Sequence, residues 1–479
     1  MKHIAPALLS FFLFFTCTQA KAQEVWSLER CITHAVDNNI TIKQAQATVA
    51  TNELAQKQAK ASRYPNVNAS VNAGNQYGRT IDPTTNQFLN QSIGFNSMSL
   101  NAGVNVFSGG QIHHQVKQAQ WDTKAAQADA ENSINTLALN VASAYLSILQ
   151  AEEQLNNAGN RVKQSQEQLA NTNKLIEAGN TPAGERFTIE AQMARDEQAE
   201  IIALNSLELG FLNLKQLLQL EPDYPMSIER PGVAISSTVD PETLALGELY
   251  QQALATQPNV KAADYRMQSA DESISLAKAA YYPTVSLFGS LTSNYSTQFR
   301  KFTPTGEVRK DPFPTLVEIS GMDVPVFFYS PEIIVEDLKY FPQLDQNFGQ
   351  SLGVNVSIPI YSNHRNKLSV ERARLNRVTS EMQNTQVRQQ LKNDIQTAIA
   401  NARSAKLQMA AAEKTLEAQK NAYANTEKRH AIGGANSLEL TTAKNNLDIA
   451  QNDLTTAKYD YLFRLKIIDF YLGVPITLD

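Results

Sequence analysis

The chain has 479 residues and a formal net charge of −5, from 42 basic and 47 acidic side chains, and 42% of its residues are hydrophobic. That mildly acidic balance offers nothing to favour nucleic acid, and length alone would allow two or three domains. With 2 cysteines, Cys17 and Cys31, a disulfide framework is excluded.

The amino terminus opens Met1-Lys2-His3, runs apolar from Ile4 to Phe15 and reaches Ala20-Lys21-Ala22 before Gln23. This is the pattern of a secretory signal over residues 1–22 with a small-x-small cleavage site. Its apolar run is too short to span a bilayer. Cleavage removes Lys2 and Lys21, which takes the charge from −5 to −7 and leaves Cys31 as the single cysteine of an exported chain. Lipidation at Cys17 is not expected, because Phe14-Phe15-Thr16 departs from the small-residue context such processing prefers. Cys31 lies in the amphipathic run Leu28 to Ile42 and reads as a buried structural thiol.

Helical periodicity starts after Ser27 and continues to about Arg63, where Pro65 ends it. The period then changes to 2. Val67, Ala69, Val71 and Ala73 alternate with Asn68, Ser70 and Asn72, and Met98, Leu100, Ala102, Val104 and Val106 alternate with Ser99, Asn101, Gly103 and Asn105. These predict strands over 65–77 and 98–107, each long enough to cross a membrane when tilted. A long helix follows over 109–178. From Ile134 it places Leu137, Val141, Ala144, Ile148, Ala151, Leu155, Ala158, Val162, Ser165, Leu169, Thr172 and Ile176 at alternating steps of three and four, a heptad seam for lengthwise packing. At 1.5 Å per residue such a helix is a rod of roughly 100 Å. A compact domain cannot contain it. A shorter helix returns over 182–219.

The order then repeats. Adding 254 maps Phe107 to Tyr361, Gly179 to Gly433 and Leu218 to Leu472, while an offset of 218 superposes Tyr64-Pro65 on Tyr282-Pro283. The offsets differ by 36, so the second half carries an insertion of about that size between Tyr295 and Leu352. The expected units are a first repeat over 23–220, a proline-rich linker over 221–243 and a second repeat over 244–479. The second repeat holds a helix, strands 283–295 and 350–361 with a long extracellular loop 296–347, a long helix 363–432 and a helix 436–472. The inserted loop has prolines at 304, 312, 314, 325, 331 and 342 and clustered aromatics such as Phe327-Phe328-Tyr329. Such a segment should pack, either as a lid over its own barrel mouth, which is preferred, or against an outside partner.

Helix, Tyr-Pro, two strands, Val106-Phe107-Ser108-Gly109-Gly110 or Ile360-Tyr361-Ser362-Asn363, long helix, glycine turn, helix: in that order and duplicated, the chain resembles the TolC family of outer-membrane efflux proteins. The resemblance covers nearly all of the mature chain. It implies a mainly α fold with a membrane β-barrel, in which a homotrimer of four strands per chain closes 12 strands and continues as an α-helical coiled-coil tunnel. It also implies a passive exit duct in the cell outer membrane, extending into the periplasm. The implied partners are a periplasmic adaptor, an inner-membrane transporter and outer-membrane lipid. No cofactor, nucleic acid or catalysis is implied. Sequence alone reaches one part of this: four strands leave two open edges, and closing them requires other copies.

The family also points to positions. The strand-helix junctions fall at Tyr64, Pro65, Phe107, Gly109, Gly110, Tyr282, Pro283 and Tyr361. The turns Gly179-Asn180-Thr181-Pro182 and Gly433-Gly434-Ala435-Asn436 correspond to the periplasmic tip where adaptors dock. Glu185 and Glu439, six residues after each tip glycine, correspond to acids of the pore constriction; the alternative is a first-turn acid favoured by the helix dipole. Thr188, Thr442 and Ala435 stand where the family has further charges, so a salt-bridged latch at those places is not expected. His113-His114 shows no carboxylate or cysteine at ligand spacing. The alternatives to a duct are a periplasmic adaptor, which would carry one helical hairpin within compact β domains, and a secreted coiled-coil structural protein, which would not need four alternating strands.

Overall fold

The computed structural model describes residues 24–81, 86–90, 92–179, 181–230, 240–319 and 321–474. The signal sequence, Asn180 and much of the linker lie outside them. In chain order the elements are β1 (Glu24–Trp26), α1 (Leu28–Asn38), α2 (Ile40–Ala61), β2 (Asn66–Gln76), β3 (Arg79–Ile81), β4 (Phe88–Asn90), β5 (Ile93–Ser108), α3 (Gln111–Glu177), α4 (Glu185–Leu218), β6 (Met226–Ile228), α5 (Leu246–Thr256) and α6 (Pro258–Ala279). There follow β7 (Thr284–Ser296), β8 (Arg300–Ile319), β9 (Met322–Asp337), α7 (Tyr340–Gln346), β10 (Gly349–Ser357), α8 (Arg365–Ala431) and α9 (Ser437–Leu472). Helix dominates, and α3 and α8 each run 67 residues. The chain divides into two units, one of residues 1–52, 122–267 and 379–479 and one of residues 53–121 and 268–378.

The first unit is helical and buries the expected α3 seam. Val141, Ile148, Ala158 and Ser165 are fully enclosed, and Leu155, Leu169 and Ile176 are half-buried. Tyr145 of α3, outside that seam, is buried too. Its hydroxyl donates to the carbonyls of Trp26 (3.1 Å) and Glu229 (2.7 Å), tying α3 to the parallel pair β1 and β6. That pair is absent from the sequence expectation, since three-residue strands carry no readable period. Cys31 is buried in the same cluster, and burial pushes its thiol up to about 12. A second cluster joins Leu249, Ala253 and Val260 to Leu391, Ile395 and Ile468.

Each helix expected before a hairpin is two helices. At Asn39 the backbone turns extended; its side chain accepts from the Thr41 N–H (2.9 Å) and donates to the Leu217 carbonyl (3.0 Å). Gln257 makes the same break in the second half, donating to the Phe470 carbonyl (3.0 Å), with Pro258 opening the next helix. Both residues supply side-chain partners to carbonyls at the ends of other helices, which no local pattern reveals.

The second unit holds an antiparallel sheet in the order β10-β7-β5-β2, so β10 and β2 are its two free edges. Strand β5 begins at Ile93 rather than 98. Ile93 and Phe95 sit on the face that Ser97 and Ser99 occupy, so the apolar-polar contrast that marks a strand is lost there. Strand β10 stops at Ser357, short of 361, because Pro359 has no N–H to give a ladder. The segment expected as a loop over 296–347 instead forms the β8–β9 hairpin and α7, which corrects that expectation. Pro304, Pro312, Pro325 and Pro331 fit the ladder where a strand's N–H points away from its partner, Pro314 falls at a register shift, and Pro342 lies in α7.

Candidate functional site

The four-stranded sheet carries the chemistry of a membrane wall. Its register aligns Asn68, Asn101, Ser290 and Ser351 in one row across all four strands, and Ser70, Ser99, Thr292 and Gly349 in another on the same face. The opposite face aligns Val67, Ala102, Gly289 and Leu352, and next to them Ala69, Leu100 and Leu291, a row that ends on β10 at the polar Gln350. Not one residue of the four strands is charged. Along the polar face the hydroxyls of Ser70 and Ser99 lie 2.7 Å apart and those of Ser290 and Ser351 2.8 Å apart. On the other face Leu352 is 87% exposed and Val67 60%. Water does not favour a sheet this apolar on an open face, whereas hydrocarbon does. Among the described residues no helix is long and apolar enough to cross a membrane.

Two aromatic rings interrupt the polar face, and glycines accommodate both. A Cβ on Gly353 would meet the Phe288 ring at 2.5 Å, and one on Gly74 would meet Phe95 at 3.3 Å. The strand pattern did not expose these pairs, because glycine and phenylalanine occupy polar-face positions without being polar. A cavity of about 530 Å³ is lined by Tyr64, Asn66, Asn105, Ser286 and Phe288 among others.

At the junction, the structure brings together residues that sequence had named separately. Gly109 has φ +61, and a Cβ there would sit 2.6 Å from Tyr282 Cβ and 2.7 Å from the Ala279 carbonyl oxygen. Gly110 follows at φ +82. In the second half Asn363 and His364 take the same left-handed backbone, at φ +48 and +59. Tyr64, Phe107, Tyr282 and Tyr361 are exposed, and Tyr361 packs edge-on to His364. His114 does have a carboxylate partner, Glu272, 2.7 Å away and 158 positions along the chain, a contact that spacing could not reveal. Among the described residues no group of three or more potential ligands could hold a metal ion.

The tips differ in detail. Gly179 (φ +74) and Gly433 (φ +76) end α3 and α8 in the left-handed conformation, and a Cβ on either would touch nothing within 4 Å. These glycines serve the backbone turn alone. Gly433 and Gly434 donate to the carbonyls of His430 (3.0 Å) and Arg429 (2.7 Å). Asn436 caps α9 by accepting from the Glu439 N–H (2.8 Å), while Glu439 lies 3.4 Å from Arg429, which also holds the Gly434 carbonyl at 2.8 Å. In the first tip, helix α4 begins at Glu185 rather than 182, with Thr181 half-buried and Pro182 exposed before it. There Glu185 Oε1 is buried with no hydrogen-bond partner, and the N-terminal Gly184 provides no side-chain cap.

Above the tips the helices enclose a charged cluster the sequence did not suggest. Lys444 and Asp448 of α9 are buried with Asp196 and Gln192 of α4 and Ser165 of α3. Lys444 donates to Ser165 Oγ (2.9 Å) and lies 3.7 Å from Asp196; Ser165 donates to Asp196, and Gln192 donates to it at 3.0 Å. Burial pushes the Asp448 carboxyl up to about 6, against the pull of Arg161 and Lys444 and with some push from Asp196. Along the same helix Leu440, Ala450 and Tyr461 are buried, while Ala443, Leu447, Leu454 and Ala457 are half-buried.

The model of the family described as outer membrane efflux protein matches residues 31–218 and 249–474. The chain belongs to that family. The probable outer membrane lipoprotein SilC of Salmonella typhimurium is 22% identical over 440 residues, spanning 90% of this chain and 82% of its own length. Outer membrane protein TolC of Vibrio cholerae is 22% identical over 385 residues, 79% of this chain and 78% of its own. The crystal structure of the outer membrane protein VceC from Vibrio cholerae superposes with a TM-score of 0.72 at 16% identity, over 93% of this chain and 96% of that one. As an outer membrane efflux protein the chain is a channel of the outer membrane reaching into the periplasm, and not an enzyme.

Proposed function

We propose that three copies of this outer membrane efflux protein close a barrel of 12 strands, four from each, and that their helices continue it as a tunnel through the periplasm. The observation that carries this is the sheet itself: uncharged throughout, Asn and Ser on one face, Val and Leu on the other, with two unpaired edges. Unpaired edges cannot stand in lipid, and bacterial barrels begin at eight strands, so a four-strand sheet must be completed by copies. The apolar positions Ala443, Leu447, Leu454 and Ala457 of α9, half-buried in the single chain, support the same reading for the helices. The matched element order and the paired left-handed positions of Gly109-Gly110 and Asn363-His364 support an origin by tandem duplication.

In this reading the duct is passive and serves a tripartite efflux or type I secretion assembly. An adaptor docks at Gly179 to Pro182 and Gly433 to Asn436, and an inner-membrane transporter feeds the tunnel. Glu185 and Glu439 line its constriction. Family membership sets aside the adaptor and the secreted coiled coil as identities. Labelling of single cysteines with a membrane-impermeant reagent on intact cells tests the orientation. Thr305→Cys should react and Gln164→Cys, on the exposed face of α3, should not. The reverse would overturn the topology.

A further inference from the structure

The β8–β9 hairpin is a ribbon of 20 and 16 residues whose contacts are dominated by its own two strands. An isolated two-stranded ribbon is marginal in water, so something must cover it. Its pairing puts Phe302 opposite Val335, Pro304 opposite Ile333, Val308 opposite Pro331 and Pro312 opposite Phe327, all on one face. Phe302, Val308, Ile333 and Val335 on that face are exposed. Lys310 interrupts it only to lay its ammonium 4.2 Å from the centre of the Phe327 ring. The other face is mixed, with Lys301 opposite Glu336 and Asp311 opposite Phe328.

The prolines say how the cover binds. A proline has no N–H, so the pairs at Pro304, Pro312, Pro325 and Pro331 must be those whose backbone groups point outward. They interrupt both free edges, which blocks strand addition and leaves packing on the apolar face. The ribbon has four basic and seven acidic residues over 300–337, a net of 4 − 7 = −3. That excess disfavours an anionic lipid surface. Its root is held firmly. Gln343 of α7 is buried and hydrogen-bonds the Ser296 backbone through both its amide nitrogen and its oxygen, Asn347 donates to the Asn294 carbonyl at 2.8 Å, and Tyr340 stacks on Tyr295.

Topology names the occupant. The ribbon joins β7 to β10, the free edge on one side, while the short β3–β4 hairpin joins β2 to β5 at the free edge on the other. Both leave from the same end of the sheet, where Gln76 pairs with Ile93 and Phe95 with Ser296. When β10 of one copy meets β2 of the next, the ribbon of the first stands beside the short hairpin of the second. That hairpin exposes Tyr77, Ile81 and Phe88. We propose that the apolar face of the β8–β9 ribbon is an intersubunit clasp, seated on the β3–β4 hairpin of the neighbouring copy. The clasp rests on the trimeric reading above. It adds apolar contact at each seam outside the barrel ladder, and it needs no lid over the mouth.

Cysteine pairs in the full chain, in its own membrane, test this, since Cys31 is buried and silent. Ile81→Cys with Val335→Cys, and Phe88→Cys with Phe302→Cys, should give covalent dimers and trimers on oxidation that survive boiling without reductant. Deleting Arg300 to Asp337 and closing with a Gly-Ser turn should leave trimers that fall apart at a lower temperature in SDS. If the unheated trimer band is present, yet neither pair cross-links and impermeant maleimide labels Val335→Cys fully on intact cells, the face is open to lipid or an outside protein and the clasp is wrong. Cross-linking by Val335→Cys alone would place ribbon against ribbon at the axis and would equally overturn it. Absence of any trimer band in the unsubstituted protein would instead remove the trimeric reading.

Discussion

Gly109 and Gly179 share a left-handed backbone and differ in what surrounds it. A methyl at Gly109 would strike Tyr282 Cβ and the Ala279 carbonyl, whereas one at Gly179 meets nothing within 4 Å. Gly179→Ala should therefore cost only the backbone term, about 1 kcal/mol, and Gly109→Ala that term plus displacement of a backbone neighbour, about 3 kcal/mol in all. Thermal denaturation of the two variants side by side should rank them in that order. Asp448 makes a separate prediction. Its folded carboxyl titrates near 6 against 3.8 unfolded, so the folded state holds the extra proton between those values. Stability from this group is greatest below about pH 4 and is lost as pH rises through 6, the reverse of an ion-paired acid. Asp448→Asn should remove that slope and gain on the order of 2 kcal/mol at pH 7.5 relative to pH 4. Melting curves at the two pH values check it; a wild-type slope retained in the variant would contradict it.

Among the elements, the long helices and the four strands could be read because each repeats its own period many times. Val141, Ile148 and Ala158 stand where the seam put them. What stayed hidden was set by distant partners. The break at Asn39 serves the carbonyl of Leu217, and the buried Lys444 of α9 meets Ser165 and Asp196 from two other helices. The inserted ribbon hid for another reason: its prolines look like strand breakers until the register shows them on the outward positions. Of the site, the junction and tip glycines were legible as turns, but the close approach of Gly109 to Tyr282 was not. Tyr145 gives the test at this scale. Tyr145→Phe removes both hydrogen bonds from its hydroxyl to the β1–β6 pair and leaves the Glu229 carbonyl without that donor, while the Trp26 carbonyl keeps the Glu229 N–H (2.9 Å), at about 2 kcal/mol. Hydrogen exchange should then speed up at the β1 and β6 amides while the seam of α3 near Ala158 keeps its protection.

For the whole molecule, the four-stranded sheet is without charge and both long-helix turns are followed by an acid, Glu185 and Glu439. If Glu185 and Glu439 line a threefold constriction, like charges meet there and anions are repelled. Glu185→Gln with Glu439→Gln should reduce cation preference in single-channel recordings. For Glu439→Gln alone stability should change by less than about 1 kcal/mol, since the Arg429 to Glu439 pair is exposed and such pairs contribute little. Unchanged selectivity would return both residues to helix-end acids. The central claim is that a sheet with two open edges is closed by copies of itself. Electrophoresis of the membrane-extracted protein in SDS, with and without heating, tests it most directly. A trimer gives a band at three times the single-chain mass without heat that collapses to one chain on boiling; migration as a single chain at every temperature, from membranes shown to hold active duct, would contradict it.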